Sequence, residues 1–203
     1  MVDFLSKGGI LVIPILLCSI IVFAIFLERL IRYAVNRTRG KEIELKVTGL
    51  VESGHMDEAR KLAEQSNSPM GRVLARAIKA GGLDRDTLET IIINATDREV
   101  RDLSAYLQTL ATIGNIAPLL GLLGTIIGMI KAFMVIQQMG GKVNAAVLAG
   151  GIWEAMLTTA FGLAVALPAM VAHSYLISKV DQYEARLQNG SVLFLKALAG
   201  RET

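Results

Sequence analysis

Residues 143–178, VNAAVLAGGIWEAMLTTAFGLAVALPAMVAHSYLIS, form an apolar run interrupted by one charged residue, Glu154. A helix needs about 20 consecutive apolar residues to cross a hydrocarbon core of roughly 30 Å, and this stretch exceeds that length. Two further runs lie upstream. Residues 8–27 are nearly free of charge, and at about 1.5 Å of rise per residue positions 10–27 alone cover roughly 27 Å. The other run begins Ile113-Gly114-Asn115-Ile116-Ala117-Pro118 and stays apolar to about Gln137. The chain therefore reads as an all-α membrane protein with three transmembrane helices.

Composition points the same way. Of 203 residues, 53% are hydrophobic but only 5% aromatic, and 19 are glycine, which suits membrane helices better than a soluble core. Although Lys7 precedes the first run, that run ends in Glu28-Arg29-Leu30-Ile31-Arg32 with no small-residue cleavage site, so it reads as a retained membrane helix and not a signal peptide. The short stretch Gln138-Met139-Gly140-Gly141-Lys142 reads as a turn joining the second and third helices into a hairpin.

Of the 21 Lys and Arg residues, 14 fall between the first and second apolar runs and four follow the third (Lys179, Arg186, Lys196, Arg201), leaving Lys7, Lys131 and Lys142. The positive-inside rule then places the middle and C-terminal segments in the cytoplasm and, with an odd number of spans, the N-terminus outside. The expected organisation is a periplasmic N-terminus and first transmembrane helix over residues 1–33, a cytoplasmic helical domain over 34–112, a second transmembrane helix over 113–137, a periplasmic turn over 138–142, a third transmembrane helix over 143–178 and a cytoplasmic C-terminal helix over 179–203.

The middle segment reads as helical because Leu62, Val73, Leu74, Ile78, Leu88, Ile91 and Ile92 recur at helical spacing. Ser68-Pro69 matches an N-cap followed by proline at the first helical position, and Gly81-Gly82 should stop that helix. Asp86 with Glu89 resembles a capping box for the next. From Asp86 no strong breaker intervenes before Gly114 and Pro118, so one long helix is expected to run from the cytoplasm into the membrane. The third transmembrane helix is expected to continue past Lys179 into Tyr183, Leu187 and Leu193, with Asn189-Gly190 able to end or bend it.

Several function classes are disfavoured. The segment from Glu28 to Thr112 mixes 14 basic with 13 acidic residues, and the formal charge of the chain is only +3, so there is no basic block for nucleic acid. Cys18 is the sole cysteine and reads as an apolar packing residue. Gly121-Leu122-Leu123-Gly124-Thr125 is not followed by the Gly-Lys-Ser/Thr of a phosphate loop, and His55 and His173 do not form a paired-histidine metal motif. No catalytic residue, metal or cofactor is expected, and the chain reads as a non-enzyme.

Glu154 is the most informative residue. It lies about 12 residues into the third run, near the middle third of the bilayer, where a charged carboxylate is costly and usually faces a bundle interior on a proton or ion pathway. The plainer alternative is a neutral glutamic acid that bonds helices together. No Lys, Arg or His lies close to it within its own helix, so an ionic partner would come from elsewhere. Thr158 falls one turn on, on the same face, whereas Thr159 is rotated from the glutamate by about 140°. Thr125 places another hydroxyl in the second helix. Gly121, Gly124 and Gly128 set small residues around it at spacings that allow close helix approach. Hydroxyls in membrane helices also bond their own backbone. Pro118 and Pro168 read as shape devices. Lys131, near the outer end of the second helix, reads as a side chain snorkelling to the interface.

The stretch from Ala111 to Met129, with Gly114-Asn115-Ile116-Ala117-Pro118 and Gly121-Leu122-Leu123-Gly124-Thr125, resembles the second-helix signature of the MotA/TolQ/ExbB proton channel family. Gly151-Ile152-Trp153-Glu154-Ala155-Met156-Leu157-Thr158-Thr159, followed by Ala166-Leu167-Pro168-Ala169, resembles its third-helix signature. The flavour is closest to ExbB. By this resemblance the polar pore residues are Thr125, Glu154 and Thr159. Thr158 stands where many relatives have alanine, and Trp153 is bulkier than the usual residue before the glutamate. The resemblance implies a homopentameric ring in the bacterial inner membrane, with long cytoplasmic helical extensions. It also implies a dimeric, single-span ExbD- or TolR-like partner carrying a membrane aspartate, and a TonB- or TolA-like protein beyond it. Two other classes remain open, a passive membrane scaffold and a secondary transporter; the midplane glutamate argues against the first, and the lack of evident inverted repeats against the second. Within the family a TolQ-like envelope or gliding motor is the alternative, while the compact cytoplasmic segment disfavours a MotA-type stator. Few polar ligands are at hand for Na⁺, which favours H⁺.

Overall fold

A computed structural model describes residues 10–138 and 145–200 of the chain. Within them the named elements are all helices: α1 (Val12–Glu52), α2 (Met56–Gln65), α3 (Pro69–Lys79), α4 (Arg85–Ser104), α5 (Leu107–Gln138) and α6 (Ala145–Ala199). Three helical stretches are long and apolar enough to cross a membrane, Val12–Val35, one within Arg85–Gln138 and one within Leu148–Ala199. The expected turn at 138–142 lies, from residue 139, outside the described residues, as do Lys7, Lys142 and Arg201.

The chain divides into two compact units, Met1–Leu27 with Tyr106–Tyr175 and Glu28–Ala105 with Leu176–Thr203. In the first, α5 lies antiparallel to the N-terminal part of α6 along a seam of small residues. A Cβ on Gly128 would stand 3.2 Å from that of Ala155, and one on Gly162 only 2.6 Å from the Ala117 carbonyl oxygen. The opposite face of α5 carries exposed Leu119, Leu122, Ile126, Ile130 and Phe133. Such a face is unfavourable in water and suited to lipid or to apolar protein, because the helix already satisfies its own backbone.

The second unit has a conventional core, with Val47 and Val51 of α1, Ala59 and Ala63 of α2, Val73, Leu74 and Ala77 of α3, and Leu187 and Phe194 of α6. Charged residues let α1 continue beyond its apolar part. Lys46, for example, donates to Glu42 one turn earlier, an i,i+4 pair that supports an exposed helix. The boundary read at residue 33 is thus a change of composition and not an end of the helix. Asn67, at φ +48°, turns the chain between α2 and α3. Ser68 then accepts from the Gly71 N–H at 3.0 Å as the N-cap of α3, with Pro69 in its first turn. Arg72 of α3 donates through Nε to both oxygens of buried Glu99 on α4, at 2.9 and 3.0 Å.

Three local expectations need correction. The cap of α4 is Asp84, not Asp86: its carboxylate accepts from the Thr87 N–H at 3.0 Å, and that bond holds the Asp84 carboxyl below its ordinary pKa. The long helix expected from Asp86 is interrupted at Ala105–Tyr106, where Tyr106 has φ +64°. In an unbroken helix the Asp102 and Leu103 carbonyls would accept from residues 106 and 107. Here Arg29 Nη1 donates to Asp102 at 3.0 Å and to Leu103 at 3.4 Å, and the Tyr33 hydroxyl donates to Leu103 at 2.7 Å. Side chains of α1 cap α4 in place of the next turn of backbone. Finally, Asn189-Gly190 neither ends nor interrupts α6. Gly190 is buried, and a Cβ there would stand 2.3 Å from Met70 Cε. Close packing thus outweighs the weak helix propensity of glycine.

Candidate functional site

The seam between α5 and α6 places the polar residues of the first unit. Gly124 and Gly128 are one turn apart on α5 and share a face, so α6 can approach until Thr158 and Ala155 lie against them. A Cβ on Gly124 would meet Thr158 Cγ2 at 2.3 Å, and one on Gly121 would meet Thr159 Cα at 3.0 Å and the Thr158 carbonyl at 3.2 Å. The three glycines are contact points in one register.

That register brings Glu154 of α6 beside Lys131 of α5, with Lys131 Nζ 3.6 Å from Glu154 Oε1. The Glu154 side chain is 32% exposed and that of Lys131 58%. A small gap of about 10 Å³ lies among them, also lined by Gly124, Gly128 and Thr158 and by Ile10, Leu11 and Ile127. Thr125 and Thr159 do not line it.

The three hydroxyls have different partners. Thr158 Oγ1 donates to the Glu154 carbonyl one turn back at 2.8 Å, and Thr125 Oγ1 to the Leu122 carbonyl at 2.7 Å. Both bond within their own helix. Thr159 Oγ1 instead crosses to the Gly121 carbonyl at 3.1 Å and ties α6 to α5. Each hydroxyl keeps acceptor capacity on its oxygen after donating. Pro118 lies inside α5 and Pro168 inside α6, and neither ends its helix. The structure thus gathers Glu154 and Thr158 with Gly124 and Gly128 at one place, and sets Thr125, Thr159, Gly121 and the two prolines apart from it.

Lys131 is the residue that sequence reasoning placed elsewhere. Its position near the end of an apolar run is the ordinary setting of a snorkelling lysine, and only the register of the two helices reveals the carboxylate within reach. The spacing of Gly124, Gly128 and Ala132 on one face was the available signal, because it fixes which side of α5 meets α6 and leaves Lys131 at the edge of that side. Among the described residues no group of three or more histidine, cysteine, aspartate or glutamate side chains is arranged to hold a metal ion.

Comparison with known proteins shows the family of the chain. The model of the MotA/TolQ/ExbB proton channel family matches residues 65–189. A biopolymer transport protein ExbB homologue of Methanothermobacter thermautotrophicus is 31% identical over 181 residues, which cover 88% of this chain and 63% of that protein. The biopolymer transport protein ExbB of Salmonella typhimurium is 30% identical over 186 residues, 86% of this chain and 75% of its own length. That of Vibrio cholerae, exbB1, is 28% identical over 184 residues, 89% of this chain and 81% of its own. The chain thus spans less than two thirds of the first of these relatives and about three quarters or more of the other two. With a family match over most of its length, and with three helices apolar enough to cross a membrane, this chain is a membrane protein of the MotA/TolQ/ExbB proton channel family.

Proposed function

We propose that this chain is the channel subunit of a proton-driven inner-membrane motor of the ExbB–ExbD type, with Glu154 as its reversible proton site. The observation that carries the reading is a carboxyl inside an apolar helix, held beside Lys131 and Thr158 at a glycine-lined helix contact. Ionisable groups at such depth are disfavoured unless a pathway requires them. In this reading a homopentamer surrounds the membrane helices of a dimeric ExbD- or TolR-like partner that contributes an aspartate. Protons entering from the periplasm pass that aspartate and a wall of Thr125, Glu154, Thr158 and Thr159, and their passage to the cytoplasm drives partner against ring. The membrane potential supplies about 2.3 kcal/mol per charge per 100 mV. A TonB- or TolA-like protein would carry the work to outer-membrane uptake. The biopolymer-transport names of the relatives support the ExbB variant over a TolQ-like envelope or gliding role.

The test is to purify the complex gently from its own membranes, weigh it intact, and assay Glu154→Gln beside the wild type. The reading expects a homopentamer with a single-span, aspartate-bearing partner dimer, and a Glu154→Gln complex of the same mass whose proton-driven activity falls to background. A lone oligomer with Glu154→Gln fully active would make the chain a passive scaffold. A partner resembling TolR would select the envelope role.

A further inference from the structure

We propose that Lys131 is a specificity-determining residue: its ammonium is the resident counter-ion of Glu154 and reserves that carboxylate for protons against Na⁺ and K⁺. The inference rests on Glu154 being the proton site and adds to it the reason why that site does not exchange metal cations.

The argument is geometric. Lys131 Nζ lies 3.6 Å from Glu154 Oε1, so a positive charge already stands beside the carboxylate. The other residues around the gap, Ile10, Leu11, Gly124, Ile127, Gly128 and Thr158, carry no ionisable group, so Lys131 is the one charged neighbour in that lining. An alkali ion binds through oxygen ligands, and the lining side chains offer it the carboxylate and the Thr158 hydroxyl oxygen, so what turns such an ion away is the charge already in place. The gap is about 10 Å³, close to the least volume that holds one water.

A proton is held differently. It forms a bond to one carboxylate oxygen, requires no ligand sphere, and neutralises Glu154. The ammonium then has no anion to hold it and can swing toward the interface on its flexible stem. Loss of the proton restores the anion and draws the ammonium back. A metal ion would instead add a second positive charge beside the first, in surroundings that screen like charges poorly.

The test reads protonation without relying on motor activity. The full-length protein in native membranes is treated with dicyclohexylcarbodiimide, which reacts with the acid and not with the anion. The acid proton passes to a carbodiimide nitrogen as the carboxyl oxygen adds to the central carbon, and the adduct rearranges to a stable N-acylurea, located at Glu154 by peptide mass mapping. Rates are compared in Na⁺ and in choline at equal ionic strength, about 0.1 M, so that screening is constant.

In the wild type and in Lys131→Arg the rates in the two media should be equal. In Lys131→Met, which keeps a long apolar stem, Na⁺ should slow labelling about fivefold, the factor mass action gives when the ion stands at about four times its dissociation constant. Labelling of Lys131→Met that is as indifferent to Na⁺ as the wild type overturns the proposal, and so does a wild type that Na⁺ protects. Absence of label at Glu154 across the whole pH range would instead overturn the proton-site reading beneath it, with Glu154→Gln as the blank in every case.

Discussion

Of the glycines between α5 and α6, Gly124 has the least room for a side chain, since a Cβ there would stand 2.3 Å from Thr158 Cγ2 and 2.7 Å from its Cβ. Gly121 meets backbone instead, the Thr159 Cα and the Thr158 carbonyl. This difference separates two substitutions that look alike in sequence. Overpacking of a close contact costs about 1–3 kcal/mol. Gly124→Ala and Gly121→Ala should both fall in that range when thermal unfolding of the full chain in micelles is followed by circular dichroism. Thr158→Ala removes the methyl and hydroxyl that Gly124→Ala would strike, so the double variant should recover part of the loss. The same change should recover nothing on the Gly121→Ala background, because the atoms met there belong to the main chain. A double-mutant cycle measures the contrast directly. Equal coupling of Thr158→Ala to both glycine substitutions would mean that the register described for α5 and α6 is wrong.

The two ends of α4 differ in what fixes them. Its start, like that of α3, follows from residues close in sequence: Ser68 before Pro69 is a cap whose chemistry is local, and it is legible from the order of residues alone. Asp84 was missed by two positions because Asp86 offers the same carboxylate to the same turn, and only the backbone decides which one is extended. The end of α4 is not local at all. Nothing between Asp86 and Gly114 breaks a helix by propensity, and the break comes from Arg29 and Tyr33, some 70 residues earlier and one turn apart on α1, which take the Asp102 and Leu103 carbonyls. The Lys131–Glu154 pair escaped for a similar reason: each residue has an ordinary local explanation, and their meeting depends on the register of two helices. Loss of the guanidinium should therefore act on the break. Arg29 is almost wholly buried. Arg29→Leu leaves the Asp102 carbonyl without its side-chain donor, while Leu103 keeps Tyr33, and should destabilise the chain by about 1–3 kcal/mol. Hydrogen exchange should rise in the last turn of α4 more than at its start. Arg29→Lys should recover only part, since the lysine side chain is shorter than the arginine whose Nη1 reaches both carbonyls. Uniform exchange along α4 in Arg29→Leu would show that the cap does not hold the break.

Orientation in the membrane is a property of the chain as a whole, and the expectation for it rests on charge. Fourteen basic residues lie between the first and second apolar runs, and four follow the third. If both segments are cytoplasmic, Glu154 is reached from the periplasm through the outer half of the helix pair, on the same side as Lys131, and the ammonium guards the entry and not the exit. If they are periplasmic, the ammonium would guard the exit, and the polarity of the proposed proton path would be reversed. The single native cysteine makes the distinction simple to measure. Cys18 lies in an apolar stretch and can be replaced by alanine, after which Ser53 and Gln138, both exposed at helix ends, are changed to cysteine one at a time. With a membrane-impermeant maleimide added outside spheroplasts, Gln138→Cys should label at once, and Ser53→Cys only after the membrane is permeabilised. The positive-inside rule requires this pattern because moving many Lys and Arg side chains outward opposes both the insertion bias and the membrane potential. The reverse pattern would leave the helix contact and the ion pair untouched. It would, however, put Lys131 at the cytoplasmic mouth, where it could still exclude metal ions but would do so after the proton had passed Glu154.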